Sequence, residues 1–385
     1  MGLITAARIM VLVLAAVCFA PAVVMAQRDL PDEIVTAPNL SPGQVSEIRA
    51  FITQQLTEFE SADPEVSRRG RQAIVRAYGN VAVSPAYRNT SSEVLTPRLV
   101  AIAEDQGRPE LAVVAVQMLG NIATERSIEA LDRFVRDERE VMRYAAAQAM
   151  ARTVRAVQTS APAVGPDRVL WIVDRFRDGL SRENDAVVAY MHVRGLIAAA
   201  VRDQPSALAS VRPRALLSLA TVCGERLQKL GNSDADKALV ATFIGAAEYL
   251  RQVLAEDIFA RSLPRDFVLA CAGLGGDMLA FVNRQVRMGA SGMFALTDAG
   301  GPEDIAEAKR RLRQSAVALT ALGETIVFLC KDALEAGQPV PAPNLARHLE
   351  AANAQGDAAF IRDVRGVFEM LTRPPFSFPA GRFLN

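Results

Sequence analysis

Apolar residues recur along this chain at intervals of three and four, and no segment sustains an interval of two. Behind Ser41-Pro42-Gly43-Gln44, the residues Val45, Ile48, Phe51, Ile52, Leu56 and Phe59 fall on one face of a 3.6-residue period. Ser41 and Gln44 form a capping-box pattern, with Pro at the first helical position. Asp63-Pro64 opens a second stripe through Val66, Ala73, Ile74 and Ala77. Thr90-Ser91-Ser92-Glu93 has the same capping-box form ahead of Val94, Leu95, Leu99 and Ile102, and predicts a helix start there. Further helices are expected at 107–121, 127–137, 137–154, 167–180 and 183–201, with a Pro/Gly interruption at 159–166. Longer ones are expected near 212–230, 235–260, 265–288, 303–335, 343–354 and 358–372. Leu111–Val116 scores as a strand on propensity alone. The stripe runs on into Met118 and Leu119 without a turn, so it reads as helix and the fold class as all-α.

The helices repeat. PELAVVAVQMLGN from Pro109 and REVMRYAAAQAMAR from Arg139 align at an offset of roughly 30 residues, each a run of small and apolar residues after an acidic start. Looser copies begin at Asp63 and Ala186, and a second helix lies between the two best ones. At these residues the chain resembles HEAT-type helical repeats. In that pattern an Asp sits at the turn, a Val-x-Arg opens the second helix, and a run of Ala follows. Asp137, Val141, Arg143 and Ala145-Ala146-Ala147 match it; Asp63, Val66 and Arg68 match in part. The copy at 109–121 lacks both the Asp and the Arg. The resemblance covers residues 63–202. It implies a HEAT-like α-solenoid in the first half, continuing into longer antiparallel helices in the second, with a curved surface that binds a partner protein. One hairpin cannot bury its apolar face alone, so neighbours must stack.

The ends add compartment and boundaries. Arg8 precedes the apolar run IMVLVLAAVCFA, Pro21 breaks it, and Val24-Met25-Ala26 offers a cleavage site before Gln27. This is the form of a secretory signal peptide, with an uncleaved anchor as the alternative. Cys18 follows Ala15-Ala16-Val17, a poor match to a lipoprotein signal. The expected organisation is a signal peptide at 1–26, a linker at 27–43, a repeat region at 44–203, a helical region at 204–372 and a Pro/Phe-rich tail at 373–385. The product is then exported, periplasmic or secreted. The apolar runs at 238–247 and 315–330 are too short or are interrupted by Glu324, and that at 267–282 carries Asp277, which predicts a mature chain not inserted in a membrane.

Forty-three basic and 43 acidic side chains balance, so no field of one sign points to nucleic acid. Only Lys229, Lys237, Lys309 and Lys331 are lysines; the other cations are arginines. Cys223, Cys271 and Cys330 lie in apolar helical stretches and read as buried thiols, with one disulfide among them left open. His192 and His348 lie far apart in sequence, and no Glu-x-x-His or Cys/His cluster occurs at ligand spacing, so no metal or cofactor is expected. Glu248, Asp277 and Glu324 interrupt apolar runs; each reads as an acid on the solvent side of its helix. An inward-facing cluster of the three would instead favour an enzyme or small-ligand pocket between the C-terminal helices. Gly273-Leu274-Gly275-Gly276 has no strand before it, so it reads as close helix packing or a break and not as a phosphate loop.

Trp171, the single tryptophan, stands apart from the stripe Val169, Ile172, Val173, Phe176 and Leu180 and lies nearer Arg175 and Asp178. Those three are the expected partner-binding residues; a Trp wedged between adjacent repeats is the alternative. The expected role is a non-catalytic scaffold or adaptor for another protein in the cell envelope.

Overall fold

A computed structural model describes residues 29–258, 263–294, 303–335 and 341–384. The expected signal peptide and the start of the expected linker lie outside the described residues. Among those described there are fifteen α-helices and no strand, so the chain is all-α. The helices are α1 (Asp32–Val35), α2 (Pro42–Phe59), α3 (Pro64–Tyr78), α4 (Pro85–Glu104), α5 (Pro109–Ile122), α6 (Glu125–Phe134), α7 (Glu140–Thr159) and α8 (Pro166–Arg182). They continue as α9 (Ala186–Ala199), α10 (Val211–Lys229), α11 (Asp234–Ile258), α12 (Arg265–Arg287), α13 (Glu303–Leu334), α14 (Ala346–Glu350) and α15 (Ala354–Thr372).

Local sequence sets the starts. Ser41 and Gln44 form the reciprocal capping box, and Asp63 accepts from the N–H groups of Glu65 and Val66. The pattern at 90–93 is not a helix start. Ser84 caps a helix that begins at Pro85, a stronger signal because Pro fixes the first helical φ. Thr90–Glu93 are then mid-helix. Ser91 Oγ bonds back to the Tyr87 carbonyl at 2.7 Å, and Ser92 Oγ lies 2.7 Å from Thr124 Oγ1. The expected linker also contains order: Ile34 and Val35 of α1 are buried, and Ser84 N–H donates to the Val35 carbonyl. The helix expected at 343–354 shrinks to α14. Ala352 takes φ 46°, and Asn353 caps α15 by accepting from Gly356 N–H.

The helices pack in two layers. Even-numbered helices meet the next even one (α2 on α4, α4 on α6, α8 on α10, α10 on α12), and odd-numbered ones run α3, α5, α7, α9, α11, α13 in the same way. Many consecutive helices also pack between the layers, most extensively α2 on α3, α4 on α5 and α12 on α13. Helices within a layer run parallel: Gln117 bonds Gln148 and Thr153 bonds the Gly120 carbonyl between α5 and α7, and Gln158 bonds the Ala198 carbonyl between α7 and α9. Gly120 sets the α5–α7 distance. A methyl group there would lie 2.4 Å from the Ala149 carbonyl oxygen. Gly275 and Gly323 let α12 and α13 approach in the same way, so the glycine-rich stretch packs closely within an unbroken helix.

Arginines tie each even layer member to the one before it. Arg98 pairs with Glu60, Arg133 with Glu104, Arg168 with Glu125 and Glu129, Arg175 with Asp132, and Arg214 with Asp174. Arg226 donates to the Ser181 and Glu183 carbonyls at the end of α8, and Arg284 to the Leu227 and Leu230 carbonyls at the end of α10. A planar guanidinium can bridge two acceptors at a helix C-terminus, where the backbone dipole favours a cation. Buried Arg88 of α4 reaches across to the odd layer, donating to the Asn121 and Ile122 carbonyls, both at 2.8 Å, and closes the end of α5.

Helices α11 and α12 are each long and apolar enough to cross a bilayer by length and composition, although their charged interruptions argued otherwise. Most of α12 is enclosed by α10, α13 and α15, so its apolar surface faces other helices. The tail folds back on this region. Phe376 and Phe383 are buried, and Arg382 lies over both Phe378 and Phe383.

Candidate functional site

A cavity of about 830 Å³ opens where α6 ends, α7 begins, α8 ends and α9 passes beneath. Helix α8 presents Arg175, Asp178, Gly179 and Arg182 to it at helical spacing, so one face of one helix supplies a wall. The facing wall is built at a turn. Arg143 donates to Glu183 at 2.8 and 3.1 Å and, through its other nitrogen, to the Asp137 and Glu138 carbonyls. It thereby locks the turn before α7 to the turn before α9. Burial raises the Glu183 pKa, but the Arg143 hydrogen bonds and charge, together with the Asp185 and Asn184 N–H groups, outweigh it and leave the carboxylate below its usual range. Asp185 accepts from Val187 and Val188 N–H and starts α9.

His192 closes the floor. Its ring packs against Gly179, and Phe176 meets it edge-on at 6.1 Å. Only 1% of the residue is exposed, and Nδ1 has no hydrogen-bond partner among the described residues. Burial lowers its pKa to about 4, so the imidazole is neutral at physiological pH. The cavity's acids are mostly engaged by its own cations and backbone, while Arg182, exposed at the rim, has no ion pair among the described residues.

Arg175 and Asp178 line this cavity, and Trp171 stands one turn away on the same helix. Trp171 is half-buried, between Arg175 at 4.5 Å and Arg168 at 5.1 Å from its ring centre. Both arginines reach α6, so the indole covers the α6–α8 junction and keeps one exposed part. All five residues of the expected stripe, Val169 to Leu180, are buried.

The acids do not stand as the sequence implied. Glu248 is exposed, but Asp277 and Glu324 are buried, because their helices are enclosed on the faces that carry them. Asp277 accepts from Arg382 and Gln228, both at 2.8 Å; Glu324 accepts from Leu345 N–H at 2.9 Å. Burial raises both pKa values, and these hydrogen bonds offset part of that rise. With separate partners, the three acids form no common cluster. Cys223, Cys271 and Cys330 are free, buried thiols, and burial pushes Cys223 up to about 12. His348 lies 3.0 Å from Asp363. Among the described residues no group of three or more His, Cys, Asp or Glu is placed to hold a metal ion.

No protein-family model matches the chain, and none of the curated proteins is significantly similar to it. The turns themselves carry the most regular signal. Asp63, Asp105, Asp137 and Asp185 each precede an odd-layer helix and accept from backbone N–H groups just beyond. The copy at 109–121 thus has its Asp after all, with Arg108 bonded to it and to the Glu60 carbonyl. One extra residue separates Asp105 from its helix compared with Asp137, which hides it in a fixed-register alignment. Glu183 and His192 were not legible as site residues; the Glu183-Asn184-Asp185 turn was the available signal.

Proposed function

We propose that this chain is an exported, non-catalytic scaffold of HEAT-like helical repeats that binds another protein in the cell envelope. The observation that carries this reading is the packing order. Most helices from α2 to α13 contact both the next helix and the next but one, with an Asp turn before α3, α5, α7 and α9. Such an order makes each hairpin depend on its neighbours and generates extended surface in place of a deep catalytic cleft. In this reading the curved stack continues past residue 204, since α8 on α10 and α9 on α11 cross that point.

Trp171, Arg175 and Asp178 are the proposed contact residues, an aromatic anchor beside charged groups at a cavity rim. The test is cross-linking in cells of the full chain, with identification of what is attached. A single recurrent protein partner, lost or weakened by Trp171→Ala with unchanged helicity, is the expected outcome. Absence of any attached protein, together with turnover in a substrate screen, would refute the reading. Amino-terminal sequencing of the exported protein tests the location, with Gln27 expected first.

A further inference from the structure

Helices α3, α5, α7 and α9 carry acids only where they begin. Glu65 in α3, Glu110 in α5 and Glu140 in α7 sit in the first turn, α9 has none after its cap Asp185, and no Asp or Glu follows in any of the four. Beyond the first turn these helices show solvent only a narrow strip each. On α7 the strip is Val141, Tyr144, Gln148, Arg152 and Arg155; on α9 it is Val187, Tyr190 and Arg194. The parallel register, with Arg143 beside Glu183 and Gln158 beside Ala198, brings Arg194 alongside Arg152 and Arg155.

These guanidiniums have no carboxylate. Arg152 bonds only the neutral Gln148 at 3.3 Å, and Arg155 and Arg194 form no ion pair among the described residues. Arg155 lowers the pKa of Arg152, after burial, because like charges face each other. A groove of about 730 Å³ continues the face across α5 to Arg71 and Arg76 of α3; no acid lines it, and of these two arginines Arg76 pairs with Asp29. The opposite layer pairs its arginines with acids of the preceding helix, so the contrast lies between faces of one molecule. Helix dipoles favour one cation near each C-terminus, but Arg71 stands mid-helix in α3. Val141, Val187 and Tyr190 are 52, 59 and 44% exposed, which gives the same face an apolar and aromatic side.

We infer that the solvent face of α3, α5, α7 and α9 docks an acidic segment of the partner protein, with carboxylates on Arg71, Arg152, Arg155 and Arg194 and apolar side chains on Val141, Val187 and Tyr190. This rests on the scaffold reading above. Tyr and Arg are the residue types that dominate binding energy at interfaces, and unpaired cations reward an anionic partner without first breaking an internal pair.

The test uses the full mature chain and a fluorescein-labelled synthetic peptide of Glu with interspersed Leu and Tyr, read by anisotropy. Its counterpart has every Glu replaced by Gln. The acidic peptide should bind at least about tenfold more tightly than the Gln peptide, weaken as salt rises, and lose about tenfold in Arg152→Gln/Arg155→Gln/Arg194→Gln. Arg347→Gln, an exposed residue of α14 outside this face and outside the cavity, should leave binding unchanged. If the triple variant loses helicity, Arg155→Gln/Arg194→Gln, which alters exposed side chains alone, replaces it. Equal affinity for the two peptides overturns the inference, as does undiminished binding by the variant. So does a preference for phosphatidylglycerol vesicles or inorganic phosphate over the acidic peptide. Cross-linking separates the two ideas. A partner still captured by a chain that ignores acidic peptide sinks this inference alone, whereas loss of any partner sinks the scaffold reading.

Discussion

Replacing Gly120 with alanine places one methyl group between α5 and α7 and measures how rigidly the odd layer is packed. That methyl carbon would lie 2.4 Å from the Ala149 carbonyl oxygen and 2.7 Å from the Ala149 Cα. Both atoms are backbone, so no side chain can swing aside. Ordinary contact begins near 3.4 Å, so the helices must separate by roughly 1 Å. The 3.1 Å bond from Thr153 Oγ1 to the Gly120 carbonyl lengthens with them. Overpacking of this kind costs about 1–3 kcal/mol, and the better helix propensity of Ala returns about 1 kcal/mol. A net loss of about 1–2 kcal/mol is expected, since strain against backbone lies at the upper end of that range. Gly245 and Gly366 provide the opposite sign. Neither has an atom within 4 Å of the added carbon, so alanine at each should stabilise by about 0.5–1 kcal/mol. Urea unfolding followed by circular dichroism at 222 nm should lower the midpoint for Gly120→Ala and raise it for the other two. A rise for all three would show that α5 and α7 do not meet as described.

His192 makes stability depend on pH. Its folded pKa of about 4 lies below the ordinary 6.5, so the unfolded chain binds the extra proton and stability is lost as pH falls from 6.5 towards 4. Relative to His192→Leu, the wild type should lose about 3 kcal/mol between pH 7 and pH 4, and a pH-independent difference would remove the neutral imidazole from the account. Arg88→Met strands the Asn121 and Ile122 carbonyls without donors. About 3 kcal/mol of destabilisation is expected in denaturant titration; a loss below about 1 kcal/mol would mean that those carbonyls find other donors. A thiol reagent should find no fast-reacting Cys in the native protein, because Cys223, Cys271 and Cys330 are buried. In denaturant it should count three thiols if cleavage follows Ala26 and four if Cys18 is retained. A fast-reacting thiol in the native state would place one of the three at the surface.

Helices whose apolar residues fell on one stripe were legible, since burial needs only periodicity: the stripe Val169 to Leu180 is the inner face of α8. Boundaries failed where two start signals competed. Thr90–Glu93 has the side chains of a capping box, but the Ser84-Pro85 start lies a turn and a half upstream, and hydroxyls bonding back to a carbonyl sit comfortably inside a helix. Asp277 and Glu324 looked like solvent-side acids because a single sequence shows one helix at a time. Their burial depends on Arg382, more than a hundred residues away from Asp277, and on the chain turning back at Leu345. Arginine was legible as a bias and not as a pattern. Its pairing with the preceding even helix spans roughly 40 residues, beyond any local periodicity.

The folded-back tail bears on what this end of the helical array shows to water. Helices in a stack bury one flank against the helix before and the other against the helix after, so the last helix is left with a flank shaped to receive another. Phe376, Phe383 and the Arg382–Asp277 pair occupy that flank on α12 and α15. The folded-back segment thus keeps the rings of Phe376 and Phe383, and the apolar surface of α12 and α15 beneath them, out of water.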